Sequence, residues 1–410
     1  MRTIGHEELN LKFGRAGSFW LLATLLALLS AASSTPSPLY AVYAARWHFS
    51  SITLTAIFGV YALALLAALL TTGRLSDHLG RRPVVLLALL VLLAGVLAFI
   101  AASGAGWLFT ARILQGLGTG MAAGAISAWL VDLQPPDRPG LGSVVGSVAP
   151  ISGLAAGTLG AGLLVQYGPD PLHLVYWVLL ALFVLALASM PFLPDVTERR
   201  PGWLASMRPH IGVPRAARSL FAASMPSLIA TWALSALYLS LGPSLALSLL
   251  HSDSTLAGAL VIVALMGPGA LAAALLHAAE PRLLEIRSLF VLIVGVGITL
   301  LAVALGSPVG LYAGSVIAGI GYTPAFSAVF RGLVPLAPPD KRAELIASIY
   351  VVAYLAFSLP AIIAGVAVTH YSLRETTYVY GLVVMVLAAM TAVALWRRQA
   401  SPRAAVGARR

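Results

Sequence analysis

The stretch RILQGLG at 112–118 places an arginine and a glutamine three residues apart inside a run of Leu, Ala, Ile and Gly. On a helix, Arg112 and Gln115 share a face, while Gly116 and Gly118 let a neighbouring helix come close. A guanidinium within a lipid-embedded helix costs about 3 kcal/mol on insertion scales, so it faces the bundle interior or water. There it is either a functional charge or one satisfied by carbonyls of adjacent helices. A second group of charges stands in GRLSDHLGRR at 73–82. Asp77 is suited to accept hydrogen bonds from the free N–H groups of a helix N-terminus. Arg81 and Arg82 are suited to pair with a carboxylate at a neighbouring helix end, and Asp132 is the candidate. Gly73 admits close approach, Gly80 permits positive φ, and Pro83 fits a first helical turn.

Uncharged polar groups recur at helical spacing. Ser34, Ser37 and Tyr40 sit in SSTPSPLY (33–40), where two prolines imply a broken helix that protein or a watery cavity must cover. Thr231, Ser235 and Tyr238 share a face with Gly242. Tyr350, Tyr354 and Ser358 follow at four-residue intervals, and Tyr322 belongs to AGIGYT. These hydroxyls and rings are candidates to line a small-molecule cavity, and interhelical packing explains the stripes equally well. In 142–162, Gly146, Pro150, Gly153 and Gly157 predict a close-packed helix kinked by its proline. No cysteine is present, which excludes thiolate metal sites. Neither H-E-x-x-H, a nucleophile elbow nor a P-loop occurs. The expectation is a chain without metal, cofactor or enzymatic centre.

Composition sets the elements that must position these residues. The 410 residues are 60% hydrophobic and 10% charged, against about 25% charged in soluble domains. Crossing hydrocarbon takes roughly 20 apolar residues as helix. Twelve runs qualify, near 17–43, 52–72, 83–102, 107–132, 141–166 and 173–193, then 220–247, 255–277, 288–306, 308–330, 345–369 and 376–396. The fold class is all-α, a polytopic membrane protein of twelve spanning helices. All fourteen acids fall in loops or at the ends of these runs, with Glu280 and Glu285 in the loop before 288–306. With a cytoplasmic N-terminus, 22 of the 25 Lys and Arg lie on the cytoplasmic side. That asymmetry orients the chain with both termini cytoplasmic; the expected location is a prokaryotic inner membrane, as a multi-pass protein. The asymmetry also accounts for the net charge of +11 without nucleic acid. Arg2, Lys12 and Arg15 before an apolar run and SAAS (30–33) imitate a cleaved leader. The run continues to Tyr43, too long for a signal core, so it reads as a retained first helix.

The polar, Pro-rich stretch 194–217 divides six runs from six. It predicts an N-terminal bundle (1–193), a central cytoplasmic loop, a C-terminal bundle (218–398) and a tail (399–410). QGLGTG…LQPPDR and AGIGYT…LAPPDK superimpose at an offset of 203 residues, Gly116 on Gly319, Gly118 on Gly321, and Pro135-Pro136-Asp137 on Pro338-Pro339-Asp340. Two copies of a six-helix unit share one orientation and relate by an axis along the membrane normal.

Gly73, Leu75, Asp77, Gly80, Arg81 and Arg82 spell G-x-L-x-D-x-x-G-R-R, which resembles the signature loop of the major facilitator superfamily (MFS). The twelve runs, the repeat and the central loop extend the resemblance over essentially the whole chain. It implies a secondary transporter that alternates access to a site between its halves. It implies that Asp77, Arg81 and Asp132 form a cytoplasmic latch in the outward-open state, Asp77 facing the eleventh helix near Glu344. RILQGLG resembles the fourth-helix motif, whose arginine is associated with proton coupling. Antiporters of the family carry G-P-x-x-G-G in the fifth helix. Here Ala149, Pro150, Gly153 and Leu154 occupy those places, so two match and Leu154 departs. The resemblance, to drug/proton antiporter-like members, implies efflux of small amphipathic or drug-like molecules. Its expected partners are that small-molecule substrate, protons as candidate coupling ion and the lipid bilayer, for a monomer. Import or uniport of a small metabolite, and a transport-inactive sensor or scaffold, are the alternatives.

Overall fold

The computed structural model describes residues 13–138, 140–194, 201–251, 253–338 and 341–400. Arg2 and Lys12, connector residues 195–200, Pro339 and Asp340 of the repeat, and the tail from 401 lie outside them. Among the described residues, twelve helices are long and apolar enough to cross a membrane. They are α1 (Arg15–Ser34), α2 (Ser51–Thr72), α3 (Arg81–Ile100), α4 (Ala105–Leu133), α5 (Leu141–Tyr167) and α6 (Leu174–Ser189). After the connector follow α7 (Arg215–Ser240), α8 (Thr255–Leu275), α9 (Pro281–Leu305), α10 (Pro308–Leu333), α11 (Arg342–His370) and α12 (Leu373–Ala400). The end of the bundle that carries loop 73–80 and the connector is called the basic end, and the opposite one the far end.

The first run is not one helix. Turns at 35–39, where Pro36 and Pro38 stand, separate α1 from a short helix, Tyr40–Trp47. α7 is followed in the same way by Gly242–Leu250. The offset of 203 carries Trp47 to Leu250 and His48 to His251. Both histidines end their short helices in the left-handed region, φ 52° and 48°, and no other described non-glycine residue has positive φ. The repeat therefore reaches backbone conformation.

α9 corrects a boundary. Its apolar run begins at 288, yet the helix begins at Pro281, with Glu280 capping it by accepting from the backbone N–H of Arg282 and Leu283. A carboxylate at the cap and proline at the first position are a strong start signal that hydropathy does not register. Glu285 thus lies inside a spanning helix and is buried, 3% exposed, instead of in a loop.

Glycines set the interhelix spacing. A Cβ on Gly116 would overlap the Tyr61 carbonyl of α2, and one on Gly319 the Leu265 carbonyl of α8. A Cβ on Gly118 would lie 2.6 Å from Leu92 of α3, and one on Gly321 would overlap the Ser288 carbonyl of α9. Equivalent glycines thus face equivalent helices. On α5, Gly153 and Gly157 abut the backbone of α1 at Ala27 and Ala31, whereas Gly146 faces open space. Pro150 lies within the same helix. Gly116→Ala and Gly319→Ala should each lower the thermal midpoint in detergent, at a cost of about 1–3 kcal/mol for overpacking. Gly146→Ala should leave it unchanged or slightly raised.

Candidate functional site

Loop 73–80 turns into a short helix, Leu75–Leu79, and Gly80 (φ 98°) redirects the chain into α3. Asp77 does not cap α3. It accepts from Arg81 Nη1 at 2.5 Å, and Arg81 Nε reaches Asp132 Oδ2 at 3.4 Å. Arg81 also donates to Ser76 Oγ at 2.7 Å. One guanidinium so joins the start of α3, the short helix and the end of α4. Arg15 adds a bond to the Asp132 carbonyl at 2.9 Å, where a helix C-terminus favours a cation. The link to the other half runs through the connector. His78 Nδ1 bonds the Pro201 carbonyl at 3.1 Å, and Gly212 N–H donates to Ser348 Oγ of α11 at 3.1 Å, with Glu344 alongside. Arg82 is half-buried beside this cluster in sequence, and Gly73 stands at the end of α2.

Arg112 is 1% exposed. Its Nη1 donates to the Ser33 carbonyl at 2.9 Å and to Gln115 Oε1 at 2.6 Å, and Gln115 Nε2 donates to the Ala32 carbonyl at 2.8 Å. The broken end of α1 supplies both carbonyls. The guanidinium lies 4.2 Å from the centroid of Tyr61 and 5.9 Å from that of Phe58, and its Nε is buried without a partner. Among the described residues no carboxylate comes within ion-pair distance of it.

From Phe58 an aromatic array crosses between the halves. Phe58 of α2 meets Phe357 of α11 at 4.8 Å between centroids. Trp232 of α7 packs on Phe357, Tyr354 and Phe326, and Tyr350 stacks on Tyr354 at 5.9 Å. Tyr350, Tyr354, Trp232 and Phe326 are only half-buried, and the Trp232 indole N–H has no partner. The remaining hydroxyl candidates lie deeper. Ser34 donates to the Leu154 carbonyl of α5 at 2.8 Å, Thr231 to its own helix, and Ser37 and Tyr40 are buried. Tyr238 points into the C-terminal bundle, bonded to Ser315 at 3.0 Å and Thr299 at 3.3 Å. Tyr322 of α10 and Ser235 of α7 are also buried. Hydroxyl spacing therefore picks out a buried face of α7. The half-buried wall uses Trp232, one residue round from Thr231, with Phe326, and rests on the buried rings of Phe58, Tyr61 and Phe357. All are aromatics that apolar composition hides.

The Major Facilitator Superfamily model matches residues 20–359. The chain belongs to the Major Facilitator Superfamily. An uncharacterised MFS-type transporter of Mycobacterium tuberculosis (strain ATCC 25618 / H37Rv) is 32% identical over 115 residues, 28% of this chain and 20% of that relative's length. Among solved structures, a POT family transporter in complex with 5-aminolevulinic acid aligns with TM-score 0.72 and 14% identity, over 92% of this chain and 95% of that one. A peptide transporter POT variant with alafosfalin gives TM-score 0.72 and 15% identity, over 92% and 93%. At such identities the likeness is one of fold. This MFS member is accordingly a multi-pass membrane transporter and not an enzyme. Its two halves touch through rings, so a double-mutant cycle on Phe58→Ala and Phe357→Ala should return a coupling of about 0.5–1.5 kcal/mol in unfolding experiments. A coupling of zero would deny the contact.

Proposed function

We propose that this MFS transporter exports small amphipathic molecules in exchange for protons, with both termini in the cytoplasm. The observation that carries the reading is the half-buried aromatic wall of Trp232, Phe326, Tyr350 and Tyr354, at a seam where Arg112 is the one buried cation among the described residues. Rings offer contact to flat, apolar ligands with little demand for hydrogen bonds, unlike the many polar partners a sugar requires. The substrate site lies between residues 1–193 and 218–398, and the monomer is the working unit. Asp77, Arg81 and Asp132 form the gate at the cytoplasmic end, and the connector couples it to α11. Arg112 and Gln115 serve coupling. Pro150, Gly153 and Gly157, where α5 rests on α1, support antiport. A second reading, import or uniport of a small metabolite, is favoured by the scarcity of buried carboxylates among the described residues.

Proteoliposomes loaded with a panel of fluorescent amphipathic compounds, with pH gradient and voltage imposed separately, discriminate these readings. Proton antiport predicts efflux that a pH gradient alone drives, and facilitation predicts indifference to it. Asp77→Asn should keep its fold, since exposed ion pairs contribute no more than about 1 kcal/mol. Its transport should fall about tenfold, the rate equivalent of about 1.4 kcal/mol. Wild-type rates would remove Asp77 from the gate. Arg112→Ala should uncouple transport from the pH gradient. Unchanged coupling would return Arg112 to a purely structural role.

A further inference from the structure

Glu285 has no part in the seam, yet it is the one buried acid among the described residues. Its carboxylate receives two hydroxyls of α7. Ser227 Oγ donates to Oε1 at 2.8 Å and Ser224 Oγ to Oε2 at 3.2 Å, and both serines are buried. No cation lies within ion-pair distance among the described residues. The acid also has a route to water. A cavity of about 740 Å³ between α7, α9, α10 and α12, at the basic end, is lined by Ser224, Glu285, Glu280, Arg282, Arg331 and Arg398 among others.

The charged groups that frame it are otherwise engaged. Glu280 caps α9. Arg282 donates to the Leu395 carbonyl, Arg331 to the Ala279 carbonyl at 2.6 Å, and Arg398 to Ser219. Three guanidiniums around the cavity oppose entry of a metal cation, and the carboxylate itself opposes an anion. A proton can travel along water and end on the carboxylate oxygen.

The serines sit at a break in α7. Pro226 has no N–H, so the bond from 226 back to 222 cannot form. The Ser227 N–H is taken by Thr391 Oγ1 of α12 at 2.9 Å. The Ser227 hydroxyl faces two acceptors, Glu285 Oε1 and, within its own helix, the Ser224 carbonyl at 3.0 Å. An ionised Glu285 draws that hydrogen across to α9. A protonated one becomes a donor itself, and the hydroxyl returns to the Ser224 carbonyl. Five residues on, about 7.5 Å along the helix, α7 presents Trp232 to the seam.

We propose that Glu285 carries the coupling proton and exchanges it with water of the basic end through this cavity, and that its protonation resets the Pro226 hinge of α7. This rests on the proton-coupled reading above. The test uses the purified full chain in nanodiscs. Infrared difference spectra between acid and alkaline buffer should show a protonated-carboxyl band in the wild type. Glu285→Gln should lose it and Glu280→Gln should keep it. Ser227→Ala, which retains the carboxyl, should keep the band at a shifted frequency, which guards against loss through misfolding. Because the chain lacks cysteine, spin labels at Val131→Cys and Leu336→Cys, both exposed at the basic end, report on the halves directly. Their distance distribution should change with pH in the wild-type background and stay fixed in Glu285→Gln. A band that survives Glu285→Gln, or a wild type without one, overturns the site. A pH-dependent distance that survives Glu285→Gln overturns the hinge. A titrating Glu285 band in a protein whose transport ignores the pH gradient would instead sink proton antiport.

Discussion

The constraint on which the placement of the buried arginine depends is backbone-to-backbone contact at Gly116, repeated at Gly319. Each lies where any side chain would overlap a carbonyl of the neighbouring helix, on α2 and on α8. Lipid offers little hydrophobic gain for pressing helices together, so dispersion at short range and small residues must do it. The consequence reaches the chemistry. Arg112 is one turn before Gly116, and the approach of α4 to α2 lays its guanidinium over Tyr61. Shifting that contact by the width of a methyl group would move the one buried cation among the described residues.

The sequence made the twelve spans, the basic loop and the repeat legible, because each leaves a local mark: an apolar run of membrane length, a charge asymmetry, a pair of glycines at a fixed offset. What it hid was depth. Glu285 reads as a loop residue because the apolar run starts three residues later. α9 nevertheless begins at Pro281, and Leu284, Glu285, Ser288 and Leu289 then share its buried face. Hydropathy marks where a helix becomes oily, whereas capping marks where it begins. Trp232 was hidden for the opposite reason. A ring in an apolar helix raises no contrast, and only the crossing of α7 with α11 brings it against Tyr354 and Phe357. Hydroxyl spacing on α7 pointed to a real face, the one turned into its own bundle.

The two halves repeat a backbone but not a buried charge. The offset of 203 carries Arg112 to Ser315, which Tyr238 holds with a neutral hydrogen bond, and carries Arg82 to Glu285. The N-terminal half therefore encloses a basic side chain and the C-terminal half an acidic one, each hydrogen-bonded by neutral partners. A buried charge so arranged is costly for stability, and its neutral surroundings leave it responsive to whatever charge arrives. Placing the two in separate halves keeps them from cancelling each other as a static ion pair.

That separation bears on how the halves can move. The hydrogen bonds of Arg112, Gln115 and Ser34 stay within the N-terminal half, and those of Glu285, Tyr238 and Tyr380 within the C-terminal half. The contacts that cross are of another kind. Phe58 meets Phe357, Gly59 takes Ile362, and Gly162 packs on Ala259, the last two toward the far end. An apolar contact parts without stranding a donor or acceptor, whereas a buried polar bond that breaks leaves both groups unpaired. Each half can thus rotate as a body while its costly polar interior stays intact. The seam between them is the surface along which opening is cheapest, and the half-buried aromatic wall stands beside it.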